Sequence, residues 1–183
     1  GFRGAQGPGK PTGYGTAGHG GSGKGEGTSA FNFSLVGKTY GSITTPTNLG
    51  SGGGGWGTHQ HGGGAILLTV AGTTLVNGVV SANGLDMPTD QYAGSGGSVL
   101  LRTGFLEGTG TIRANGGSAT ENNGGGGRVA VILTESEDFG SVRMETYGGY
   151  RGADFWRRYG SGGTVYQEDT NHVAGQGRLI VDF

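Results

Sequence analysis

The residues of this chain best suited to binding chemistry lie in one short stretch, 147–160. Its sequence is YGGYRGADFWRRYG, which combines aromatic rings with three arginines. Aromatic and arginine side chains are the usual anchors of interfaces, and aromatic faces also stack on sugar rings. Three interpretations stay open: an interface, a glycan-binding site, or a lid in which the rings only cover apolar core residues. The candidate binding residues are Tyr147, Tyr150, Phe155, Trp156, Arg157 and Arg158.

A second group with chemical potential is acidic. Glu135, Glu137 and Asp138 lie close together, and Glu168 and Asp169 follow further along the chain. Carboxylate oxygens bind calcium, and clustered carboxylates also serve polysaccharide cleavage. The alternative is an ordinary solvated turn. No cofactor is expected, and calcium is the one ion that the sequence leaves open.

Other motif-like patterns are weaker evidence of function. His59-Gln-His61 would place two imidazoles on one face of an extended backbone, but no third metal ligand is near in sequence. Residues 13–18 match G-x-G-x-x-G without the strand and helix that a nucleotide site needs, and Gly25 replaces the Ser or Thr of a P-loop. No serine, histidine and carboxylate have a recognisable catalytic spacing. The chain is therefore predicted not to be an enzyme.

The chain from residue 64 onwards is a repeat built from pairs of strands. The stretch 97–117, GSVLLRTGFLEGTGTIRANGG, contains an alternating apolar strand, a tight turn, a second strand and a glycine stop. Similar stretches begin at Gly64, Gly127 and Gly163, so that successive repeats start between 30 and 36 residues apart. Such a period is typical of solenoids and arrays, in which each repeat packs on its neighbours.

Strand periodicity predicts which side chains stack between repeats. Alternate residues of a strand share a face, so the apolar positions should form three columns. Asn83 and Asn115 also occupy equivalent positions, where amide side chains could hydrogen-bond from repeat to repeat or simply favour Asn-Gly turns. The columns are Ile66, Val99, Val129 and Val165; Leu68, Leu101 and Val131, interrupted by Gln167; and Val80, Ile112 and Met144, with Ile180 as a fourth member.

Composition limits the classes of partner. The 183 residues include 47 glycines and no cysteine, with a formal net charge of −1. A charge this small argues against nucleic acid and anionic membranes, and no apolar run approaches the roughly 18 residues of a membrane span. Residues 1–63 are predicted to form a glycine-rich N-terminal segment, either a flexible linker or packed chains of the polyproline-II type. The start at Gly1 suggests a piece processed from a longer product.

Several stretches together resemble a known kind of module. Over roughly residues 40–183 the chain contains, in order, YGSITTPTNLGSGGGG, GGGAILLTV, VSANG, GTIRANGG, GGGRVAV and GTVY. This order is similar to a glycine-rich repeat module of very large secreted and cell-surface proteins of bacteria and some protists. The resemblance implies an extracellular, β-solenoid-type segment with an architectural or adhesive role, and it transfers no catalytic residue. Residues 167–169 are polar and depart from the pattern.

The sequence therefore predicts an all-β fold, a short right-handed parallel β-helix of about four rungs starting at residues 64, 97, 127 and 163. An apolar C-terminal edge formed by Leu179, Val181 and Phe183 should accept a strand from another copy. The expected function is that of a non-enzymatic extracellular structural protein, which assembles through open solenoid ends into a filament, sheath or adhesive fibre. Its expected partners are copies of itself and surface glycans, without nucleic acid or membrane insertion. The alternative is a carbohydrate-binding or carbohydrate-cleaving β-helix.

Overall fold

The regular structure of the described residues consists of strands of 3 to 11 residues. A computed structural model describes residues 1–12, 15–23, 36–54, 60–89, 92–120, 122–150 and 159–181. These residues contain eight strands and no helix. The strands are β1 (Ala65–Leu75), β2 (Val79–Ser81), β3 (Ser98–Glu107), β4 (Thr111–Arg113), β5 (Arg128–Leu133), β6 (Arg143–Glu145), β7 (Thr164–Glu168) and β8 (Arg178–Val181).

The strands form two sheets. The larger sheet has the order β1-β3-β5-β7-β8, in which the first four strands are parallel and β8 is antiparallel to β7. The smaller sheet has the order β2-β4-β6 and is parallel throughout. Each of the first three repeats therefore contributes one strand to each sheet.

The register of the strand pairs confirms most of the predicted columns. Ile66 pairs with Val99, and the same column continues through Val129 to Val165. The second column ends at Gln167, and the third connects Val80, Ile112 and Met144 across the smaller sheet. These columns supply much of one hydrophobic cluster, whose buried members are Val76, Ala82, Val99, Leu101, Leu106, Ile112, Ala114, Val129, Val131, Leu133, Val142 and Val165.

The predicted right-handed parallel β-helix of about four rungs is wrong. The described residues form one mixed and one parallel sheet and no closed solenoid. The difference is clearest in the fourth repeat, where β8 turns back against β7. Ile180 consequently pairs with Val165 in the larger sheet and does not follow Met144 in the smaller one.

Polar side chains at the end of β7 explain why the chain reverses there. Oε2 of the buried Glu168 accepts hydrogen bonds from the hydroxyl of Tyr166, at 2.6 Å, and from the N–H of Gly175, at 2.7 Å. The Tyr166 hydroxyl accepts a hydrogen bond from the N–H of Gly177, also at 2.7 Å. Because a buried carboxylate is costly without such partners, these bonds hold β8 in a hairpin with β7.

Glycine-rich segments form a further ordered part of the structure, which we call the glycine layer. Its backbone N–H groups donate to carbonyls of neighbouring segments, for example Gly50 to Gly63 at 2.9 Å and Gly20 to Gly126 at 3.0 Å. The described part of residues 1–63 is therefore hydrogen-bonded to the repeats. The glycine layer consists of residues 16–23, 50–54, 60–63, 94–97, 124–127 and 160–163, none of which is in a helix or strand.

Close backbone approach explains the glycine that begins each repeat. The N–H of Arg128 donates to the carbonyl of Gly97 at 2.9 Å, which brings the two repeat starts together. A Cβ added at Gly97, Gly127 or Gly163 would lie closer than 3.0 Å to backbone of the preceding repeat, whereas one added at Gly64 would meet nothing within 4 Å. Glycine is thus required by packing at every repeat start that has a predecessor.

Candidate functional site

The first candidate surface is the free edge of β1. This strand pairs with β3 on one side, and no other strand of the described chain lies on its other side. Leu67, Leu68 and Leu75 are exposed on it, and so is Val79 at the start of β2, which is an edge of the smaller sheet. The sequence contains no charged residue in 62–85. Both sheets therefore end in an apolar, uncharged edge on the side of the first repeat.

The edges on the other side have a different chemistry. The edge strand β8 contains Arg178, and the edge strand β6 contains Arg143 and Glu145. Charged residues and short strands are the usual means by which proteins prevent unwanted pairing at a sheet edge. The predicted binding residues Leu179 and Val181 are exposed on β8, while Phe183 lies outside the described residues.

The second candidate surface is a cavity of about 610 Å³ near the end of the repeats. The rings of Tyr150 and Tyr159 are stacked there, with centroids 5.3 Å apart and planes inclined by 6°. Tyr147 joins them, and all three tyrosines are about half exposed. The described residues that line the cavity are Tyr147, Gly148, Tyr150, Tyr159, Gly160, Ser161 and Gly162.

Side-chain hydrogen bonds between repeats position two of these tyrosines. Oδ1 of Asn83 accepts from the N–H of Asn115 at 2.8 Å, and Oδ1 of Asn115 accepts from the N–H of Tyr147 at 2.9 Å. In the same way, Oγ of Ser118 accepts from the N–H of Tyr150 at 3.2 Å. Each of these bonds spans 32 residues. The asparagines therefore do bond from repeat to repeat, although the bond runs from side chain to backbone.

The structure brings together only part of the predicted aromatic site. Tyr147 and Tyr150 share the cavity with Tyr159, which is not among the candidate residues although it belongs to the same aromatic stretch. The lid interpretation also depends on residues that the structure does not describe. The predicted residues outside the described part are Phe155, Trp156, Arg157 and Arg158, and His59 of the histidine pair is outside it as well.

Acidic residues bond to backbone N–H groups in the part of the chain that the structure describes. No group of three or more histidine, aspartate or glutamate side chains there is placed to hold a metal ion. Oδ1 of Asp138 accepts from the N–H of Gly140 at 2.7 Å, within its own turn. Oδ1 of Asp169 likewise accepts from the N–H of Asn171 at 2.9 Å, and Glu168 holds the hairpin. These carboxylates thus stabilise local turns.

A cluster of two buried residues, His19 and Arg128, and the half-buried Tyr40 lies where the N-terminal segment meets the start of β5. His19 Nδ1 is 3.0 Å from the carbonyl oxygen of Gly96, and its ring packs on Tyr40 with centroids 4.5 Å apart. Nε of Arg128 donates to the carbonyl of Tyr40 at 2.9 Å, and Nη1 donates to Oγ1 of Thr164 at 2.9 Å. The cluster therefore attaches the N-terminal segment to two repeats.

Electrostatics favour a structural role for this cluster. A carbonyl only accepts hydrogen bonds, so Nδ1 of His19 carries the hydrogen. Burial lowers the pKa of His19 to about 4, and the positive charge of Arg128 acts in the same direction. Burial also raises the pKa of Tyr40 and lowers the pKa of Arg128. The imidazole is therefore neutral near pH 7 and bonds the backbone carbonyl of Gly96 as a hydrogen-bond donor.

Comparison with known proteins leaves the function to be inferred from this geometry. No family model, no curated protein and no solved structure matches the chain. The resemblance to a glycine-rich cell-surface module therefore stays a prediction. Within the described ranges, no helix is long and apolar enough to cross a membrane.

Proposed function

We propose that this chain is a non-enzymatic structural protein of the cell exterior, which associates with copies of itself through the free edge of β1. In this proposal the pair of chains joined at this edge is one unit of a filament, sheath or adhesive fibre. The observation that carries the proposal is the uncharged edge of β1, a strand of 11 residues. The extracellular location rests on the sequence resemblance alone.

The edge of β1 lacks most of the features that normally prevent association. An exposed, long and apolar edge strand is a template for another strand, and proteins usually protect it with lysine, proline or charged residues. None of these residues occurs in Ala65–Leu75. One protective feature is present, a register irregularity between Val70 and Thr73. The residues before it, Ala65 to Val70, remain in regular register and form the best template.

A second copy is the partner that matches this edge. Val99, Val129 and Val165 are buried between neighbouring strands. Ile66 begins the same column but is only partly buried, because no strand of the described chain flanks β1 on its outer side. A β1 strand from a second copy would complete the column and would bring no charge into it. The edges β6 and β8 contain charged residues and match the β1 edge less well. The proposed contact therefore joins two β1 edges about a two-fold axis.

A pair of matched lysine substitutions tests the proposal. Leu67 is 52% exposed on β1 and Leu179 is 48% exposed on β8, and the two residues belong to the same row of the larger sheet. Leu67→Lys should weaken self-association by about tenfold or more, because two lysines would face each other across the contact. Leu179→Lys should leave it unchanged. Sedimentation velocity across micromolar concentrations measures both.

Two outcomes would contradict the proposal. If the unmodified chain is monomeric throughout this concentration range, the edge of β1 does not associate. If Leu179→Lys weakens association as much as Leu67→Lys, the contact is not confined to β1, and a head-to-tail contact between the two edges replaces the two-fold one.

A further inference from the structure

The tyrosine-lined cavity takes no part in the proposed β1 contact. Tyr147 and Tyr150 follow β6, and Tyr159 precedes β7, so the cavity belongs to the third and fourth repeats. The edge of β1 belongs to the first repeat. A function of the cavity can therefore be tested independently of self-association.

We infer that this cavity binds a neutral oligosaccharide. Aromatic rings present apolar faces against which the C–H groups of a sugar ring can pack, and a tyrosine hydroxyl can hydrogen-bond the sugar hydroxyls. Three tyrosines, Ser161 and three glycines border the cavity. Its volume of about 610 Å³ falls within the range of roughly 300–1,000 Å³ typical of small-molecule sites.

The cavity wall is held in place before any ligand binds. The stacked rings of Tyr150 and Tyr159 restrict each other, and the N–H groups of Tyr147 and Tyr150 are bonded to side chains of the preceding repeat. Ser161 is also bonded, because its hydroxyl lies 2.9 Å from the hydroxyl of Ser22 in the glycine layer. A preformed wall reduces the entropy lost on binding.

The chemistry of the lining selects among ligand classes. The described lining contains no lysine or arginine, which an anionic glycan or a nucleic acid would need. The described lining also contains no carboxylate, the group that supplies the acid and base of sugar cleavage. Proline-rich peptides dock in aromatic grooves as well. A cavity with several hydroxyl groups suits the many hydroxyls of a sugar better than it suits a peptide with few donors.

Calorimetric titration of the full chain with defined oligosaccharides tests this inference. The probes are cellohexaose, xylohexaose, mannohexaose and chitohexaose, with hexagalacturonate as the anionic comparison and decaproline as the peptide comparison. We expect at least one neutral sugar to bind and both comparison ligands to fail. Tyr159→Ala and Tyr150→Ala should each weaken sugar binding by about tenfold, while Tyr159→Phe retains most of it.

A control variant and a second measurement guard against loss of folding. Phe105 is also an exposed aromatic residue, but it lies on β3, so Phe105→Ala should leave binding unchanged. In the unmodified chain, saturation transfer from tyrosine ring protons should reach the C–H protons of the bound sugar. The inference fails if no neutral sugar binds, if hexagalacturonate or decaproline binds instead, or if binding survives both alanine variants. Failure of the β1 contact would leave these results unaffected.

Discussion

Replacement of Gly127 by alanine is expected to lower the free energy of unfolding by about 3 kcal/mol. The added methyl group would overlap with the carbonyl oxygen of Gly97 in the preceding repeat. Neither backbone can easily move away. The Gly97 carbonyl accepts the N–H of Arg128 at 2.9 Å, and the N–H of Gly127 donates to Ala114 at 2.6 Å. Denaturant unfolding followed by far-ultraviolet circular dichroism measures the change.

Gly64 provides the matched control for this prediction. It occupies the same position in the first repeat, but a methyl group there would meet nothing within 4 Å, and its backbone is not in the left-handed region. Gly64→Ala should therefore be neutral or stabilise the fold by up to about 1 kcal/mol, because alanine restricts the unfolded chain. Equal losses for the two variants would show that packing between repeats does not explain the glycines.

Sequence reasoning predicted the apolar columns because they depend on local periodicity. In a strand every second side chain shares a face, so Val99 and Leu101 must lie on the same face whatever the overall architecture. The glycine at the start of each repeat then fixes the register, and Ile66, Val99 and Val129 align as predicted. The columns and their register are present although the chain is not a β-helix, because they do not depend on how the chain continues between sheets.

The direction of β8 could not be predicted in this way. The alternation in Arg178–Val181 is compatible with a parallel or an antiparallel neighbour, so periodicity alone cannot choose between them. The choice depends on hydrogen bonds that backbone N–H groups of the following turn donate to Glu168 and Tyr166. The only local signal is indirect: residues 167–169 are polar where the earlier repeats are mostly apolar.

The candidate surfaces were predicted in part. Tyr147 and Tyr150 were named from the density of aromatic residues, but the stacking of Tyr159 on Tyr150 depends on how both ends of the stretch return to the glycine layer. The apolar C-terminal end predicted an associating edge at β8. The absence of charge throughout 62–85 was visible in the sequence and could have pointed to β1. The sequence could not show that β1 lies at a sheet edge.

The burial of His19 was also beyond sequence reasoning. It lies in a glycine-rich stretch with the composition of a loop, yet it is fully buried. Its ring bonds to Gly96, which is 77 residues away, and packs against Tyr40. Such long-range contacts leave no local pattern. The consequence is a buried imidazole that cannot accept a second proton without loss of stability.

The fold is therefore expected to lose about 3 kcal/mol of stability on acidification through the titration of His19 alone. The pKa of His19 is about 4 in the folded chain, against an ordinary value of 6.5. As the pH falls, the unfolded chain takes up the proton before the folded chain does. The stability that depends on a neutral His19 is therefore complete above pH 6.5, declines as the pH falls towards 4, and is lost below it. About 2 kcal/mol of the loss should fall between roughly pH 7 and pH 5, where few carboxylates titrate.

Glutamine at position 19 separates this effect from other titrations. His19→Gln keeps a side-chain N–H that can donate to Gly96 but cannot take up a proton in this range. The variant should be less stable at neutral pH, since it loses the ring contact with Tyr40, and its stability should change little between neutral pH and pH 5. The same substitution at the half-buried His61 leaves His19 in place and is the matched control for replacing a histidine by glutamine. Denaturant unfolding at several pH values measures all three proteins, and an unchanged slope in His19→Gln would assign the pH dependence to a different group.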